Sequence, residues 1–327
     1  MNTLRVGLAG CGEMGSNLAR KCHSLDDASV VAVYDPVEES AVKLGGELGA
    51  KACSSYTDML GEVDAVIIAA PNDLHAPMTI EAAHSGKHIF CEKPMALSVA
   101  DCDAMIDSAE KAGVKLMVGQ VLRLLPAFWK TAGIISSGEL GAPFGISVTR
   151  LASVDGIVKG WRKTRKHTGG IIYEVHVHEL DFMRHVMGEA KSVYAGIGHF
   201  TPSQVEYEDV AFIQIHYANG GIGTLHCGVS SSFARHTMMI QCEKGTLTNG
   251  GFSGSICYSH FGEDPTTIQI SDIQKEDGYH EEIRSWVESI VKDAPMVFTA
   301  RDGRAAIELA QAAYISAETG DVVHLPL

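Results

Sequence analysis

Three stretches of the chain carry residue types at spacings suited to chemistry on a small molecule. His88-Ile89-Phe90-Cys91-Glu92-Lys93-Pro94 sets a lysine directly after a short apolar run, and the proline holds Lys93 to extended geometry. Gly169-Gly170 leads a second stretch, in which Glu174 and His178 are four residues apart and Asp181 lies one further turn along. Read as a helix, this stripe offers an imidazole as acid/base group and a carboxylate to orient it. His176 then faces elsewhere, because two residues rotate a helix by about 200°. The same spacing also suits a satisfied polar helix face, or a metal held by Glu174 and His178, although no third ligand recurs at matching spacing. The reading taken forward has no metal.

The third stretch is Gly10-Cys11-Gly12-Glu13-Met14-Gly15, placed between an apolar run and a helical pattern. The first glycine of such a turn permits the sharp bend, the second lets backbone approach a pyrophosphate, and the third allows close packing of helix on strand. The helix start adds free N–H groups and a positive dipole end for the anion. Asp35 falls twenty residues after Gly15, where a carboxylate can accept hydrogen bonds from a ribose. The alternative is a plain tight turn, with Asp35 only capping the next helix. Pro36-Val37-Glu38-Glu39 offers no lysine or arginine to a 2′-phosphate, so NAD is expected over NADP.

These groups need strands and helices to hold them. Residues 4–9, 30–35, 50–53, 65–70, 88–91 and 115–119 are short runs rich in Val, Ile and Leu, as strands buried on both faces should be. Helical patterns at 14–23, 36–48, 76–85 and 98–112 alternate with them, which implies a doubly wound parallel sheet. Beyond about Pro126 the texture changes to β-prone stretches at 145–152, 192–199, 210–217, 221–230 and 237–242. Asn219-Gly220-Gly221 and Lys244-Gly245 read as hairpin turns, and helices are expected at 171–187, 279–291 and 304–316. The expected architecture is α/β. Residues 1–122 form a dinucleotide-binding domain, and 123–327 an α+β domain with a large, mostly antiparallel open sheet. The helix at 304–316 is expected to pack back toward the first domain.

Composition narrows the function further. The chain has 327 residues, and 26 Lys+Arg against 40 Asp+Glu give a net charge of 26 − 40 = −14. Such a charge disfavours nucleic acid and anionic membrane as partners. The eight cysteines include no C-x-x-C pair, which suggests free thiols in a reducing cytoplasm. No apolar run approaches the ~20 residues of a membrane helix. One segment departs from the average: 155–168 holds Lys159, Arg162, Lys163, Arg165 and Lys166 against Asp155, a local +4. With Trp161 offering a flat face to a sugar, Trp161 and Arg162 are candidate contacts to a hydroxyl-rich or anionic substrate. A solvated loop or subunit contact is the competing reading.

Taken together, the residues resemble the Gfo/Idh/MocA oxidoreductases, which include glucose–fructose oxidoreductase and inositol dehydrogenases. The resemblance rests on the Gly10–Gly15 turn, Pro71-Asn72-Asp73-Leu74-His75, Cys91-Glu92-Lys93-Pro94, and Gly169-Gly170 ahead of His178 and Asp181. Glu208-Asp209, Ala300-Arg301-Asp302-Gly303 and Ser316-Ala317-Glu318-Thr319-Gly320 extend it through most of the chain. It implies a Rossmann domain, hydride transfer between nicotinamide and a carbinol carbon of a sugar or polyol, and a homodimer or homotetramer formed through the C-terminal sheet. It implies that Gly10, Gly12, Glu13, Met14, Gly15, Asp35, Ala70, Pro71, Asn72, His75, Glu92 and Lys93 hold NAD. It further implies that Lys93 tunes the reacting hydroxyl and His178 is the general acid/base. Glu174 stands where relatives often have aspartate and would orient its partners, and His176 would border the substrate. The alternative activity is a hydrolase or lyase that oxidises and re-reduces its sugar with one tightly bound NAD. A dinucleotide-sensing regulator would need none of Lys93, Glu174 and His178.

Overall fold

The computed structural model describes residues 3–153, 158–201 and 205–327; Asp155, counted in the basic segment, lies outside them. The chain divides into two compact units. Met1–Val121 and Glu276–Arg304 make the first, and Leu122–Lys275 with Ala305–Leu327 make the second. A continuous second domain from 123 to 327 therefore does not describe the chain, because 276–304 returns to the first unit.

In the first unit β1 (Leu4–Ala9), β2 (Ala28–Tyr34), β3 (Lys51–Ala52), β4 (Ala65–Ile68), β5 (His88–Cys91) and β6 (Leu116–Val118) form one parallel sheet in the order β3-β2-β1-β4-β5-β6. This is the doubly wound order that binds dinucleotides where the strand sequence reverses. Val6, Leu8, Ile67, Ile68, Ile89 and Phe90 are fully buried, which explains the unbroken apolar runs. Helices α1 (Glu13–His23), α2 (Glu38–Leu48), α3 (Tyr56–Gly61), α4 (His75–His84) and α5 (Val99–Ala112) make the connections. The sequence pattern missed α3, which is only six residues long and is started by Ser55 accepting the Asp58 N–H at 3.1 Å.

In the second unit α6 (Pro126–Ser136) also escaped the pattern. Among the described residues the sheet here has nine strands: β7 (Pro143–Ser153), β8 (Ala190–Gly198), β9 (Val210–Tyr217), β10 (Ile222–Gly228), β11 (Ser230–Cys242), β12 (Gly245–Asn249), β13 (Ile256–His260), β14 (Thr266–Ile268) and β15 (Val323–His324). All pairings are antiparallel except β7 with β10. Both expected hairpin turns occur, joining β9 to β10 and β11 to β12. Along β9, Ala211, Ile213, Ile215 and Tyr217 are buried while Phe212 is exposed, the alternation of a sheet with one covered face. Phe212 joins Tyr194, Ile222 and Met239 on the open face, each about half exposed.

The expected helix at 171–187 is two structures. A π-helical turn covers Ile172–His176, and α7 (Val177–Met187) continues it. Its buried side is fixed by Arg123, whose guanidinium grips Asp181 through Nε and Nη2, with Nε–Oδ2 at 2.7 Å and both side chains almost fully buried. Removing one partner of such a pair strands a buried charge. Arg123→Met should therefore cost about 3–5 kcal/mol of unfolding free energy. Urea denaturation checks this, and the double substitution Arg123→Met, Asp181→Leu should recover most of the loss.

Candidate active site

The carboxyl edge of the first sheet is built by its loops. Gly10 has φ +98° and a Cβ there would fall on the Ala69 carbonyl, so the chain turns only with glycine. A Cβ at Gly15 would fall on the Gly10 carbonyl, which is the close helix–strand contact expected of the third glycine. Gly12, the N-cap of α1, is different: nothing lies within 4 Å of a Cβ built on it, and no side chain caps the helix. The open space therefore lies in front of the unpaired N–H groups of the first turn, the place for a pyrophosphate. Glu13 is exposed and Met14 half-buried beside it.

Asp35 follows β2 and does not cap α2, whose N-cap is Val37. Its carboxylate accepts the Cys11 N–H at 2.7 Å and the Val37 N–H at 2.8 Å. Each oxygen thus keeps a lone pair for ribose hydroxyls. Glu38 and Glu39 occupy the first turn of α2, an environment that repels a 2′-phosphate. The residues present fit NAD.

Further along the edge, Ala70 and Pro71 lead into the 3-10 turn Asn72–Leu74, with Asn72 buried. The buried His75 ring contacts the Ala70 carbonyl at 2.9 Å and the Pro94 carbonyl at 2.7 Å, tying the loop after β4 to the loop after β5. The Lys93–Pro94 peptide is cis. Glu92 is 7% exposed and accepts the Lys93 N–H at 3.0 Å, which fixes the backbone from which the half-buried Lys93 side chain leaves. Burial pushes the Cys11 thiol up to about 12, helped by Asp35, and pushes Cys91 up as well. Neither thiol is a nucleophile here.

The second unit assembles its polar residues around the π-helical turn. The Ile171 N–H donates to Glu208 Oε1 at 2.8 Å, and the Ile172 N–H to the Tyr314 hydroxyl at 3.3 Å. Tyr314 donates to Glu208. Gly170, at φ +123°, leaves room for both, since a Cβ would fall on Tyr314 Oη and Glu208 Oε1. Side chains thus satisfy the first N–H groups of the segment.

On this segment Glu174 is 4% exposed and His178 half-buried. Arg162 Nε donates to Glu174 at 2.7 Å and its guanidinium lies 5.2 Å from the Trp161 ring. Arg165 pairs with Glu208. The two arginines of the basic segment are therefore bound to buried carboxylates, whereas the sequence expectation sets Arg162 against a hydroxyl-rich or anionic substrate. His176 is fully buried. Its Nδ1 is 3.4 Å from Glu179, which also meets Arg150 at 2.6 Å and His236 at 3.5 Å. Burial opposes charge on Glu179, but Arg150, with His176 and His236, outweighs it and holds the carboxyl far below its usual range. Sequence reasoning did not find Glu179, Arg150 or His236. The one signal was an acid at 179 among Val177, Leu180 and Phe182. No cluster of His, Cys, Asp and Glu suited to a metal ion occurs among the described residues.

Gly12→Ala should leave thermal stability unchanged while weakening NAD at least about tenfold, a loss of about 1.4 kcal/mol. Titration calorimetry with parallel melting curves checks both.

Residues 4–120 match the oxidoreductase family with NAD-binding Rossmann fold, GFO_IDH_MocA, and residues 128–248 match the GFO/IDH/MocA C-terminal domain. The chain is 32% identical over 251 residues to a 2,7-anhydro-N-acetylneuraminate hydratase of Escherichia coli, covering 75% of this chain and 67% of the relative. It is 26% identical over 336 residues to a myo-inositol 2-dehydrogenase of Thermotoga maritima, covering 96% of each. Among solved structures, the WlbA dehydrogenase of Bordetella pertussis, in complex with NADH and UDP-GlcNAcA, superposes with TM-score 0.89 at 26% identity over the full length of both chains. The chain belongs to the Gfo/Idh/MocA family of oxidoreductases, with an NAD-binding Rossmann domain.

Proposed function

We propose that this oxidoreductase moves a hydride between NAD and a carbinol carbon of a neutral sugar or polyol. The observation that carries this is Lys93, a half-buried ammonium whose backbone is held by Glu92 and by the His75–Pro94 contact at the carboxyl end of β5. When bound, NAD supplies the hydride acceptor. The residues of the chain then manage the proton: Lys93 hydrogen-bonds the reacting hydroxyl and favours its alkoxide-like form. His178, half-buried on the segment that carries Glu174, is the acid/base group. Glu174, held by Arg162, orients substrate or His178, and Trp161 gives a sugar ring its flat face. His176, packed on Glu179, supports the segment from within.

Neutral substrate follows from charge. With Arg162 on Glu174 and Arg165 on Glu208, the two arginines of the basic segment balance buried acids rather than standing ready for an anion. A second copy of the chain is the proposed partner for the open face bearing Tyr194, Phe212, Ile222 and Met239. Eight free thiols, seven of them buried, suit a reducing cytoplasm.

The hydratase relative supports a second reading, in which the hydride returns to the sugar within one cycle. Stoichiometry separates the two: a dehydrogenase accumulates free NADH, and the internal cycle does not. Under either reading Lys93→Ala should lower kcat by about 10²–10⁴-fold with NAD affinity retained. Near-normal turnover in that variant, measured alongside NAD titration, would remove Lys93 from the chemistry.

A further inference from the structure

The first unit holds an acid that the reading above does not use. Glu282 lies on α8 (Gly278–Val291), which packs on α1 and β5. It is fully buried, and neither carboxyl oxygen has a hydrogen-bond partner among the described residues. Trp286, one turn on, is equally buried with its indole N–H unpartnered, and its ring meets Phe90 of β5 edge-on at 5.9 Å. Gln120 is 1% exposed with both amide atoms unpartnered. The residue before it, Gly119, directly follows β6, and a Cβ built there would lie 3.6 Å from Glu282 Oε2. Glu282 thus stands at the carboxyl edge of the sheet, where a Rossmann domain receives its dinucleotide.

A carboxyl group buried without a partner stays protonated, because the ion would lose its hydration with nothing in return. The charged neighbours reinforce this. Burial first, then Glu92 after β5 and Asp277 at the start of α8, raise its proton affinity well above that of an ordinary glutamate. Lys21 of α1 partly offsets Asp277, which it meets at 2.8 Å. Such an acid is sensitive to any new charge at that edge, and the two forms of the cofactor differ by one positive charge on the nicotinamide ring.

We propose that Glu282 exchanges its proton with the redox state of the cofactor, releasing it when the cationic ring binds and regaining it when the ring becomes neutral. This rests on the oxidoreductase reading and adds a residue to it. The balance closes. Glu282 gives one proton to solvent on NAD⁺ binding. Oxidation of an alcohol then breaks its C–H and O–H bonds, with the hydride and its electron pair passing to the ring and a proton leaving as the C=O bond forms. Reprotonation of Glu282 takes up one proton in the same turnover. The indole N–H of Trp286 is a donor for the carboxylate while it is charged.

Titration calorimetry of NAD⁺ and NADH, each in two buffers of different ionisation enthalpy at pH 7, tests the proposal. The wild type should release a fraction of one proton per chain more with NAD⁺ than with NADH. Glu282→Gln, nearly the same in shape and neutral, should abolish that difference while each dissociation constant stays within about tenfold. A difference that persists in Glu282→Gln would overturn the proposal alone, whereas failure of wild type to bind NAD⁺ would overturn the oxidoreductase reading with it. Infrared difference spectra of the wild type need no variant. The protonated-carboxyl stretch should fall on adding NAD⁺ and not on adding NADH, and an unchanged band would contradict the proposal.

Discussion

Four carboxylates of the second unit, Glu174, Glu179, Asp181 and Glu208, are at most 4% exposed, and each is paired with an arginine. Charges taken out of water that far cost several kcal/mol apiece unless a partner with matching geometry is present. The arginines come from three separate places: Arg123 beyond β6, Arg150 on β7, and Arg162 and Arg165 ahead of the helix. Three of the acids lie within eight residues of one another on a single segment. That segment can sit only where all of its partners meet it. The charge requirement thus decides the position of His178, which lies on the same segment.

The same requirement gives the basic segment its meaning. In a chain of net charge −14, the arginine-rich segment before Gly169 looks like a hook for anionic substrate when only its own residues are counted. Counted with Glu174 and Glu208, its two arginines are neutralised from within.

The sequence showed most of the first unit because its strands and helices follow local periodicity and its turns require particular residues. Gly10, Gly12 and Gly15 have the distinct environments that their order implies, and Asp35 meets the backbone of the same turn. The π-helical turn was not visible in the sequence. The N–H groups at its start are accepted by Glu208 and Tyr314, which lie 37 and 142 residues away. No local pattern encodes a partner at that distance. Glu282 falls inside the helix expected at 279–291, and an acid within a helix carries no mark of its burial in the local sequence. In the structure Gly278, Glu282, Ile283, Trp286 and Val287 form one buried face.

The measurement that tests the account most directly is NAD-linked turnover of neutral sugars and polyols beside their carboxylated or phosphorylated counterparts, followed by the absorbance of NADH. The account predicts turnover of a neutral polyol or sugar, with kcat/KM at least equal to that of its anionic counterpart. Turnover confined to anionic substrates would contradict it, since the arginines before Gly169 would then be serving substrate rather than the buried acids.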